Sequence, residues 1–412
     1  MKMKRTVFLF IMLVVILAAC GPKEISLEHT IVQHEQEDET ETNNVEKETT
    51  NNVAKESEEA PVMNEAQREA EQTPKKEETE ITIAAIGDVL LHDTVYKDAK
   101  TDDGYDFMPM SELVKPYLKE STITFANQET MIGGEEIGLS SYPQFNSPTE
   151  IGDALKESGV DIVSLANNHT LDRGEEAIQN ALAHWDQINM PYVGAYKDKK
   201  DAEKLRVVET EEGIDVAFLA YTYGTNGIPV PKGKDYLVNL IDKDNIAADI
   251  KQAKSEADVT IISLHFGDEY NRLPNDAQKD LVQFVADLEV DAVLGHHPHV
   301  LQPTEWIEGK NGNETLVIYS LGNFLSGQDE LHRLIGGMFR FTVKKIVEGD
   351  DVSIELHTPQ FLPTYNFYEN WRNFKVIPMH ELTDKQLKDA QKHYKEIEEH
   401  MSQWMPELEF VQ

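Results

Sequence analysis

Six short apolar runs, each ending abruptly in polar side chains, constrain the fold of this chain more than any other sequence feature. They are rich in β-branched residues and read ITIAAIGD, STITFANQE, VDIVSLANNH, DVTIISLHFG, VDAVLGHHPH and TLVIYSLGNF. Apolar runs of this kind are typical of strands that are buried on both faces of a sheet. Amphipathic segments alternate with several of them, at residues 149–158, 175–185, 244–256 and 276–288. Strands that alternate with helices predict an α/β fold with a largely parallel, layered sheet.

The polar residues that end these runs are candidates for one shared functional site. In a parallel sheet, functional side chains collect at the carboxyl ends of the strands. The runs end, in chain order, at Asp88, at Asn127 and Glu129, at Asn167, Asn168 and His169, at His265, at His296, His297 and His299, and at Asn323. Taken singly, each group is explained well as a turn residue, a helix cap or a buried histidine. Those explanations do not account for their joint placement at successive strand ends.

These side chains are the ligand types of a divalent metal site. Carboxylate and amide oxygens together with neutral imidazoles suit Mn, Zn, Fe and related ions. In the densest cluster, GHHPH, His297 and His299 are two residues apart and can both reach one ion, while Pro298 fixes the backbone between them. His296 is interpreted as a neighbour of these ligands or as a solvated side chain. The only cysteine of the chain is residue 20, so a structural zinc site built on thiolates is excluded.

The first twenty residues predict where the protein is sent. A basic start, MKMKR, precedes an apolar run at residues 7–17 that is too short to span a bilayer comfortably. The run leads into LAAC, and the pattern resembles a bacterial lipoprotein signal that is cleaved before Cys20. We therefore expect a signal peptide at residues 1–20 and a lipid on Cys20 that anchors the protein to the extracytoplasmic face of the cell membrane. The alternative is a short uncleaved anchor.

Residues 21–80 are rich in Glu, Thr, Asn and Lys, with few apolar clusters. Such a composition cannot bury enough apolar surface to offset the entropy lost on ordering, so it predicts a disordered acidic linker that holds a folded domain away from the membrane.

The net charge of −37 argues against nucleic acid as a partner, because binding phosphates requires a basic surface. The same charge repels a polyanionic substrate unless a metal ion or a local basic patch receives it.

The remainder of the chain divides into a main domain and a closing segment. We expect the folded domain at residues 81–345, with residues 346–412 packed on it. The segments GGMFRFTVKKI and VSIELHTPQFLP alternate in polarity and predict a pair of antiparallel strands. The last segment predicts an amphipathic helix that begins after Thr383 or Asp384 as its cap.

The motifs at the ends of the runs resemble those of a known family. GDVLLHD, NQET, NNHTLDRG, LHFGDEY, GHHPHVLQP and YSLGNFL occur in the order expected of the CapA family, which comprises bacterial capsule or poly-γ-glutamate synthesis proteins and is a branch of the calcineurin-like metallophosphoesterases. The resemblance covers about residues 81–330. It implies a four-layer α/β/β/α sandwich, in which two packed sheets are flanked by helices. It also implies two divalent ions, without distinguishing among Mn, Zn, Fe and Mg.

The resemblance further implies roles for individual residues. It places metal ligands at Asp88, Glu129, Asn168, His265, His297 and His299, with Glu129 at the position of a bridging aspartate. It implies catalytic roles for His169, Asp172 and Glu269, with His169 over the scissile phosphate. It places His92, Asn127, Asn167, His296 and Asn323 near the site without fixing their roles. Three positions depart from the superfamily pattern, since Leu90 replaces a histidine, Glu129 an aspartate and Phe266 a tryptophan. The second departure can alter the bridging geometry or leave only one ion firmly held.

Two classes of function remain open from the sequence. The first is a membrane-anchored, metal-dependent hydrolase of the metallophosphoesterase type, which serves capsule or poly-γ-glutamate biosynthesis or export. A stand-alone extracytoplasmic phosphoesterase unrelated to capsule is a variant of this class. The second is a non-catalytic accessory subunit of the polymer-synthesis complex. In either class, the expected partners are membrane subunits of a poly-γ-glutamate synthase or exporter, and the polymer itself.

Overall fold

Two packed β-sheets organise the fold. The computed structural model describes residues 76–412, and the predicted signal peptide, Cys20 and residues 21–75 of the predicted linker lie outside the described residues. The strands are β1 (Lys76–Leu90), β2 (Ile123–Gln128), β3 (Ile162–Ser164), β4 (Tyr192–Val193), β5 (Arg206–Glu209), β6 (Asp215–Thr222), β7 (Val259–His265), β8 (Ala292–His296), β9 (Leu301–Glu308), β10 (Glu314–Leu321), β11 (Asn323–Ser326), β12 (Ile335–Glu348), β13 (Asp351–Glu369), β14 (Arg372–Pro378) and β15 (Glu409–Phe410). The helices are α1 (Asp93–Asp98), α2 (Met108–Ser111), α3 (Lys115–Leu118), α4 (Glu150–Ser158), α5 (Gly174–Gln187), α6 (Lys199–Ala202), α7 (Lys243–Glu256), α8 (Asp276–Ala286) and α9 (Ala390–Met401). Among these helices, none combines the length and the apolar character needed to cross a membrane.

The first sheet has nine strands of mixed direction. Strands β1 to β4 are parallel neighbours, and β12, β13 and β14 continue the sheet in antiparallel pairing on the other side of β1. β11 pairs with the carboxyl end of β1, and β15 pairs with β13. The register aligns Asp88 of β1 with Asn127 of β2, and Asn127 with Ser164 of β3. The polar ends of these strands therefore share one edge of the sheet.

The second sheet has six strands in the order β5-β6-β7-β8-β10-β9. The four inner strands are parallel, and the edge strands β5 and β9 are antiparallel to their neighbours. All residues of β7 are buried, as expected of a parallel strand covered on both faces. The register places Thr222 of β6 beside His265 of β7, and His265 beside His296 of β8. The histidines of two apolar runs are thus brought to the same edge.

Three apolar cores separate four layers. Between the sheets, Phe125 of β2 stacks on Phe218 of β6 with ring centroids 5.6 Å apart. The outer face of the first sheet packs on α4 and α5, where Trp185 is fully buried. The outer face of the second sheet packs on α7 and α8 through Ile250 and Val282. Each large apolar side chain buried in this way stabilises the fold by about 1.5–3 kcal/mol. The predicted α/β/β/α sandwich is confirmed.

The predicted elements of the central region are also confirmed. The six apolar runs form β1, β2, β3, β7, β8 and β10, and the four amphipathic segments form α4, α5, α7 and α8. The start of the folded region differs from the prediction, because β1 begins at Lys76 and the predicted linker extends to residue 80. Residues 76–80 pair with Glu348 to Lys344 of β12, and Lys344 Nζ lies 2.8 Å from Glu80 Oε1. Backbone pairing and charge contacts, rather than apolar burial, extend this strand.

The carboxyl-terminal segment differs from the prediction in two respects. β12 crosses the predicted boundary at residue 345, because it is the antiparallel partner of β1 along most of its length. The terminal helix α9 begins at Ala390 rather than after Thr383 or Asp384. Asp389 has φ 58°, a left-handed conformation that an α-helix cannot include. Asp384 still contributes a cap, because its Oδ1 accepts a hydrogen bond of 3.3 Å from the amide of Ala390.

Candidate metal centre

The carboxyl ends of strands from both sheets meet in a buried cluster of carboxylates and imidazoles. The first sheet contributes Asp88 at the end of β1 and Glu129 just beyond β2, and the second contributes His265 at the end of β7. All three side chains are 0% exposed. The segment after β8 adds His297 and His299, which are 3% and 2% exposed. Burying this many ionisable groups together is costly unless their charges are compensated, so the cluster points to a functional site.

Two groups of three side chains have the geometry to hold a metal ion. One consists of Glu129, His297 and His299, and the other of Asp88, Glu129 and His265. Within each group the potential ligand atoms lie within 4.8 Å of one another. Glu129 belongs to both groups. A carboxylate shared in this way is suited to bridging two ions, the arrangement in which paired metals assist hydrolysis.

Asp88 is held by three side chains at the floor of the site. Its Oδ1 accepts a hydrogen bond of 2.8 Å from Asn127 Nδ2 and lies 3.3 Å from His296 Nδ1. Its Oδ2 lies 3.0 Å from His299 Nδ1, which is also 3.1 Å from Asn323 Oδ1. Burial alone raises the pKa of Asp88, but the contacts with His296 and His299 outweigh it and hold that pKa well below the usual range. Asp88 is therefore an ionised carboxylate.

Glu129 contrasts with Asp88, because neither of its carboxylate oxygens has a hydrogen-bond partner among the described residues. Its Oε1 lies 3.6 Å from Nε2 of both His265 and His299, beyond hydrogen-bonding distance. Burial raises its pKa well above the usual range, opposed by His299 and reinforced by Asp88. Nδ1 of His297 is likewise buried without a partner. Unpartnered carboxylate and imidazole atoms that converge on one point fit a divalent ion, which would satisfy them together.

The loop that carries the last two histidines has an unusual backbone. His297 has φ 97° and His299 has φ 57°, conformations that side chains other than glycine rarely adopt and that cluster at functional sites. The loop is held in place because the carbonyl of Pro298 accepts a hydrogen bond of 2.8 Å from the amide of Tyr270. The ring of Tyr223 covers His297 with centroids 4.6 Å apart.

The two imidazoles of this loop have opposite titration behaviour. Burial lowers the pKa of His297 to about 3, so this ring is neutral and its nitrogen lone pair is free to bind a metal. Burial also disfavours the charged form of His299, but the negative charges of Glu129 and Asp88 outweigh it and raise its pKa to about 9. His299 donates through Nδ1 to Asp88, which leaves its Nε2 facing Glu129. Because the raised pKa favours a proton on Nε2 as well, a cation bound between Nε2 of His299 and Oε1 of Glu129 would take the place of this proton.

The turn after β3 places a second group of polar residues at the rim. Asn168 Oδ1 lies 2.9 Å from His265 Nε2, while Asn167 Oδ1 accepts a hydrogen bond of 2.9 Å from the amide of His169. His169 Nδ1 lies 2.6 Å from Asp172 Oδ2, which also accepts a hydrogen bond of 2.8 Å from the amide of Phe145. The Asp172 side chain is 1% exposed. Asp172 therefore orients His169 from behind and does not line the cavity, and its predicted catalytic role stays a prediction.

A cavity of about 290 Å³ opens beside the cluster. His169, Glu269 and His299 line it, so a substrate in the cavity would contact all three. Glu269 is exposed at the rim. His92 also lines the cavity but belongs to neither ligand group. Its Nδ1 accepts a hydrogen bond of 3.2 Å from the amide of Gly327, and burial lowers its pKa to about 4.

The structure thus brings the predicted residues to one place, and their roles as ligands remain predictions. Asp88, Glu129, His265, His297 and His299 form the two ligand groups, and Asn168 contacts His265. Asn127, Asn167 and Asn323 hold neighbouring residues by hydrogen bonds, as described above. His296 is fully buried at the end of β8, beside Asp88, so the alternative of a solvated side chain is wrong.

Two residues that contact the site were missed by the sequence prediction. Tyr223 covers His297, and Asn226 lies with Nδ2 3.4 Å from His169 Nδ1 and Oδ1 3.3 Å from Asn168 Nδ2. Both follow β6, whose sequence DVAFLAYT is a further apolar run that ends in polar residues. The same pattern that identified the other strand ends could have found this one.

Comparison with known proteins identifies a family that this chain matches and several similar proteins. Residues 82–328 match the family described as bacterial capsule synthesis protein PGA_cap. A PGA biosynthesis protein CapA of Bacillus subtilis is 27% identical over 268 residues, which cover 64% of this chain and 68% of that protein. A capsule biosynthesis protein CapA of Bacillus anthracis is 29% identical over 268 residues, or 61% of each chain. Among solved structures, a calcineurin-like phosphoesterase of Bacillus subtilis has a TM-score of 0.41 at 15% identity, over 78% of this chain and 99% of that one.

Proposed function

We propose that this chain, which belongs to the PGA_cap family of bacterial capsule synthesis proteins, is a metal-dependent hydrolase that serves the synthesis or export of a poly-γ-glutamate capsule. The reaction is proposed to be of the phosphoesterase type. The names of its relatives support the capsule role, and the donor set at the strand ends supports the metal-dependent chemistry.

The observation that carries the hydrolase proposal is that the carboxylate of Glu129 is buried without a hydrogen-bond partner among the described residues. Its two oxygens are fully buried, yet Oε1 lies 3.6 Å from Nε2 of both His265 and His299. A buried carboxylate without compensation costs several kcal/mol, roughly, so a purely structural role does not explain why it is kept there. Divalent ions bound by this group would activate the scissile bond as Lewis acids.

The residues around the cavity support proton transfer at the leaving group. His169 donates through Nδ1 to Asp172, so its Nε2 is the nitrogen that remains available at the cavity. An imidazole oriented by a carboxylate can give a proton to a leaving oxygen or take one from an attacking group. The ring of Phe145 packs edge-on against His169 with centroids 4.7 Å apart and restricts its rotation.

The proposal is tested on the purified full-length chain by measuring bound metal and the hydrolysis of bis(p-nitrophenyl) phosphate. We expect metal to co-purify or to rebind, with hydrolysis lost on chelation and in Glu129→Gln. Glu305→Gln is the matched control, because Glu305 is half-buried on β9 and outside the cluster. The proposal would be contradicted if the wild type bound no metal and if Glu129→Gln did not change the hydrolysis of bis(p-nitrophenyl) phosphate.

A second candidate, a non-catalytic accessory subunit, is favoured by Leu90. This apolar side chain is 2% exposed and occupies the position where the related phosphoesterases are expected to have a metal-binding histidine. Complementation of a capsule-forming strain that lacks the gene separates the two functions. A double variant, Asp88→Ala/His265→Ala, fails to restore capsule if hydrolysis is required and restores it if the protein acts as a scaffold.

The cellular location is part of the proposal. A lipid on Cys20 would hold the domain at the extracytoplasmic face of the membrane, near the proposed membrane subunits of the synthase or exporter. The lipoprotein pattern that ends in LAAC supports this location. Metabolic labelling with a palmitate analogue tests it, because Cys20→Ala should abolish both labelling and membrane retention. Labelling that persists in Cys20→Ala would contradict the proposed attachment site.

A further inference from the structure

We infer that Arg333 forms an anion subsite at the wall of the cavity, where it binds a carboxylate of the substrate next to the reacting centre. The inference rests on the proposed function for the identity of the substrate, an oligomer or polymer of γ-linked glutamate. Its geometric basis is independent of whether hydrolysis occurs. It assigns a specificity-determining role to a residue outside all the motifs at the strand ends.

The guanidinium of Arg333 is incompletely satisfied in the structure. Its side chain is 23% exposed, and its Nε is buried without a hydrogen-bond partner. Its ion pair is with Glu330, whose side chain is 70% exposed and lies 3.3 Å away. Exposed pairs of this kind contribute about 0–1 kcal/mol, so an incoming carboxylate can displace Glu330. The buried Nε is closed to solvent, so the two terminal nitrogens are the donors from which a carboxylate in the cavity can accept together.

One hydrogen bond and one cation–π contact fix Arg333 relative to the candidate metal ligands. The carbonyl of Arg333 accepts a hydrogen bond of 2.9 Å from Asn323 Nδ2, and Asn323 Oδ1 lies 3.1 Å from His299 Nδ1. The guanidinium lies over the ring of Tyr270, 3.7 Å from its centroid, and the amide of Tyr270 is bonded to the carbonyl of Pro298. Backbone and side chain are therefore each tied to the GHHPH segment. A cation held this firmly can position a substrate, not merely attract it.

The charges of the residues that line the cavity favour the binding of an anion at Arg333. It is the one lysine or arginine among the residues that line the cavity. Glu269 and Asp329 also line it and repel an anionic substrate from their own positions, which favours binding at Arg333 and at the neighbouring candidate metal centre. The rings of Tyr142 and Trp371, 76% and 38% exposed, also line the cavity and offer apolar contact to the methylene groups of a glutamyl chain.

Binding of a defined oligomer to the full-length protein tests the inference. The probe is a trimer of γ-linked glutamate, compared by calorimetry with the analogue in which the free carboxylates are carboxamides. We expect the wild type to prefer the trimer by about tenfold or more, and Arg333→Gln to lose that preference. Arg340→Gln is the control, since Arg340 is similarly buried, pairs with Glu120 and does not line the cavity.

A lysine variant and chelator-treated protein provide further tests of the role of Arg333. Arg333→Lys keeps the charge but not the planar fork, and should retain part of the preference, which guards against misfolding of the glutamine variant. The effect of Arg333 should persist in chelator-treated protein, so it is measurable even if no hydrolysis is found and the proposed function fails. Equal binding of the trimer by wild type and Arg333→Gln, or no detectable binding by the wild type, overturns the inference. Dependence of inorganic phosphate binding, but not of trimer binding, on Arg333 overturns its assignment to carboxylate.

Discussion

Glu129 and His299 face each other in the interior of the site, with Oε1 of Glu129 3.6 Å from Nε2 of His299. The separation is too long for a hydrogen bond, although both side chains are almost completely removed from water. An ion between them would satisfy both partners. Without an ion, the carboxylate is a source of instability, because burial disfavours its charged form.

This relationship predicts how stability responds to metal. In chelator, Glu129→Gln should melt at the same temperature as the wild type or higher, because burial disfavours the charged form of Glu129 and an amide of similar shape carries no charge. Addition of Mn²⁺ should stabilise the wild type by about 2.7 kcal/mol at a hundred times the dissociation constant, and the variant by less. Thermal denaturation with and without metal measures both effects. A variant that is much less stable than the wild type in chelator would contradict this account.

Asp172→Asn should slow hydrolysis without releasing metal. The carboxylate of Asp172 fixes His169 through a contact of 2.6 Å and does not line the cavity. An amide in its place weakens the orientation of the ring, and we expect kcat to fall by roughly 10²-fold with little change in KM. Metal content and the hydrolysis of bis(p-nitrophenyl) phosphate are the measurements, and Asp186→Asn on the exposed face of α5 is the control. A rise in KM with unchanged kcat would argue against a positioning role.

The strand ends were predictable from sequence because parallel strands bring their carboxyl ends to one edge. The alignment of Asp88 with Asn127, and of His265 with His296, follows once the apolar runs are assigned to strands. The alternation of apolar runs with amphipathic segments predicts the layered α/β arrangement, and the family resemblance implies the four layers. This local information is sufficient for the residues that lie within one or two positions of a buried strand.

Residues on longer connections were not predictable in the same way. Arg333 reaches the cavity because its carbonyl is bonded to Asn323, ten positions earlier in the chain, and because its side chain lies on Tyr270. Nothing in the sequence around it indicates these contacts. The extension of β1 to Lys76 likewise depends on pairing with β12, which is distant in the chain. Such contacts are set by tertiary structure rather than by local pattern.

Gly295→Ala should destabilise the fold strongly, whereas Gly224→Ala should not. A Cβ at Gly295 in β8 would lie 2.0 Å from the carbonyl oxygen of Tyr319 in β10, so the two strands would have to separate. We expect a loss of about 3 kcal/mol in the free energy of unfolding. A Cβ at Gly224 meets no atom within 4 Å, and its variant should stay within about 0.5 kcal/mol of the wild type. Denaturant titration compares the two variants, and similar midpoints would contradict the predicted clash.

Asp291→Asn should stabilise the protein near neutral pH and lose that effect in acid. Burial raises the pKa of Asp291 from its ordinary 3.8 to about 6, opposed by the hydrogen bond from the amide of Thr260. The native state therefore binds the proton more tightly than the unfolded state, and wild-type stability falls as the pH rises from about 4 to about 6. Above that range the charged side chain costs about 3 kcal/mol, which an uncharged asparagine avoids while still accepting from Thr260.

The measurement is the free energy of unfolding of wild type and Asp291→Asn at about pH 8 and about pH 4. Asp258→Asn is the matched control, because Asp258 also accepts a hydrogen bond from a neighbouring strand, at the amide of Asp215, but lies 2.7 Å from Lys345 Nζ. Loss of that ion pair should destabilise the control slightly at about pH 8, the opposite sign to Asp291→Asn. A gain in Asp291→Asn that is equally large at both pH values would show that the substitution acts through packing and not through the charge of Asp291.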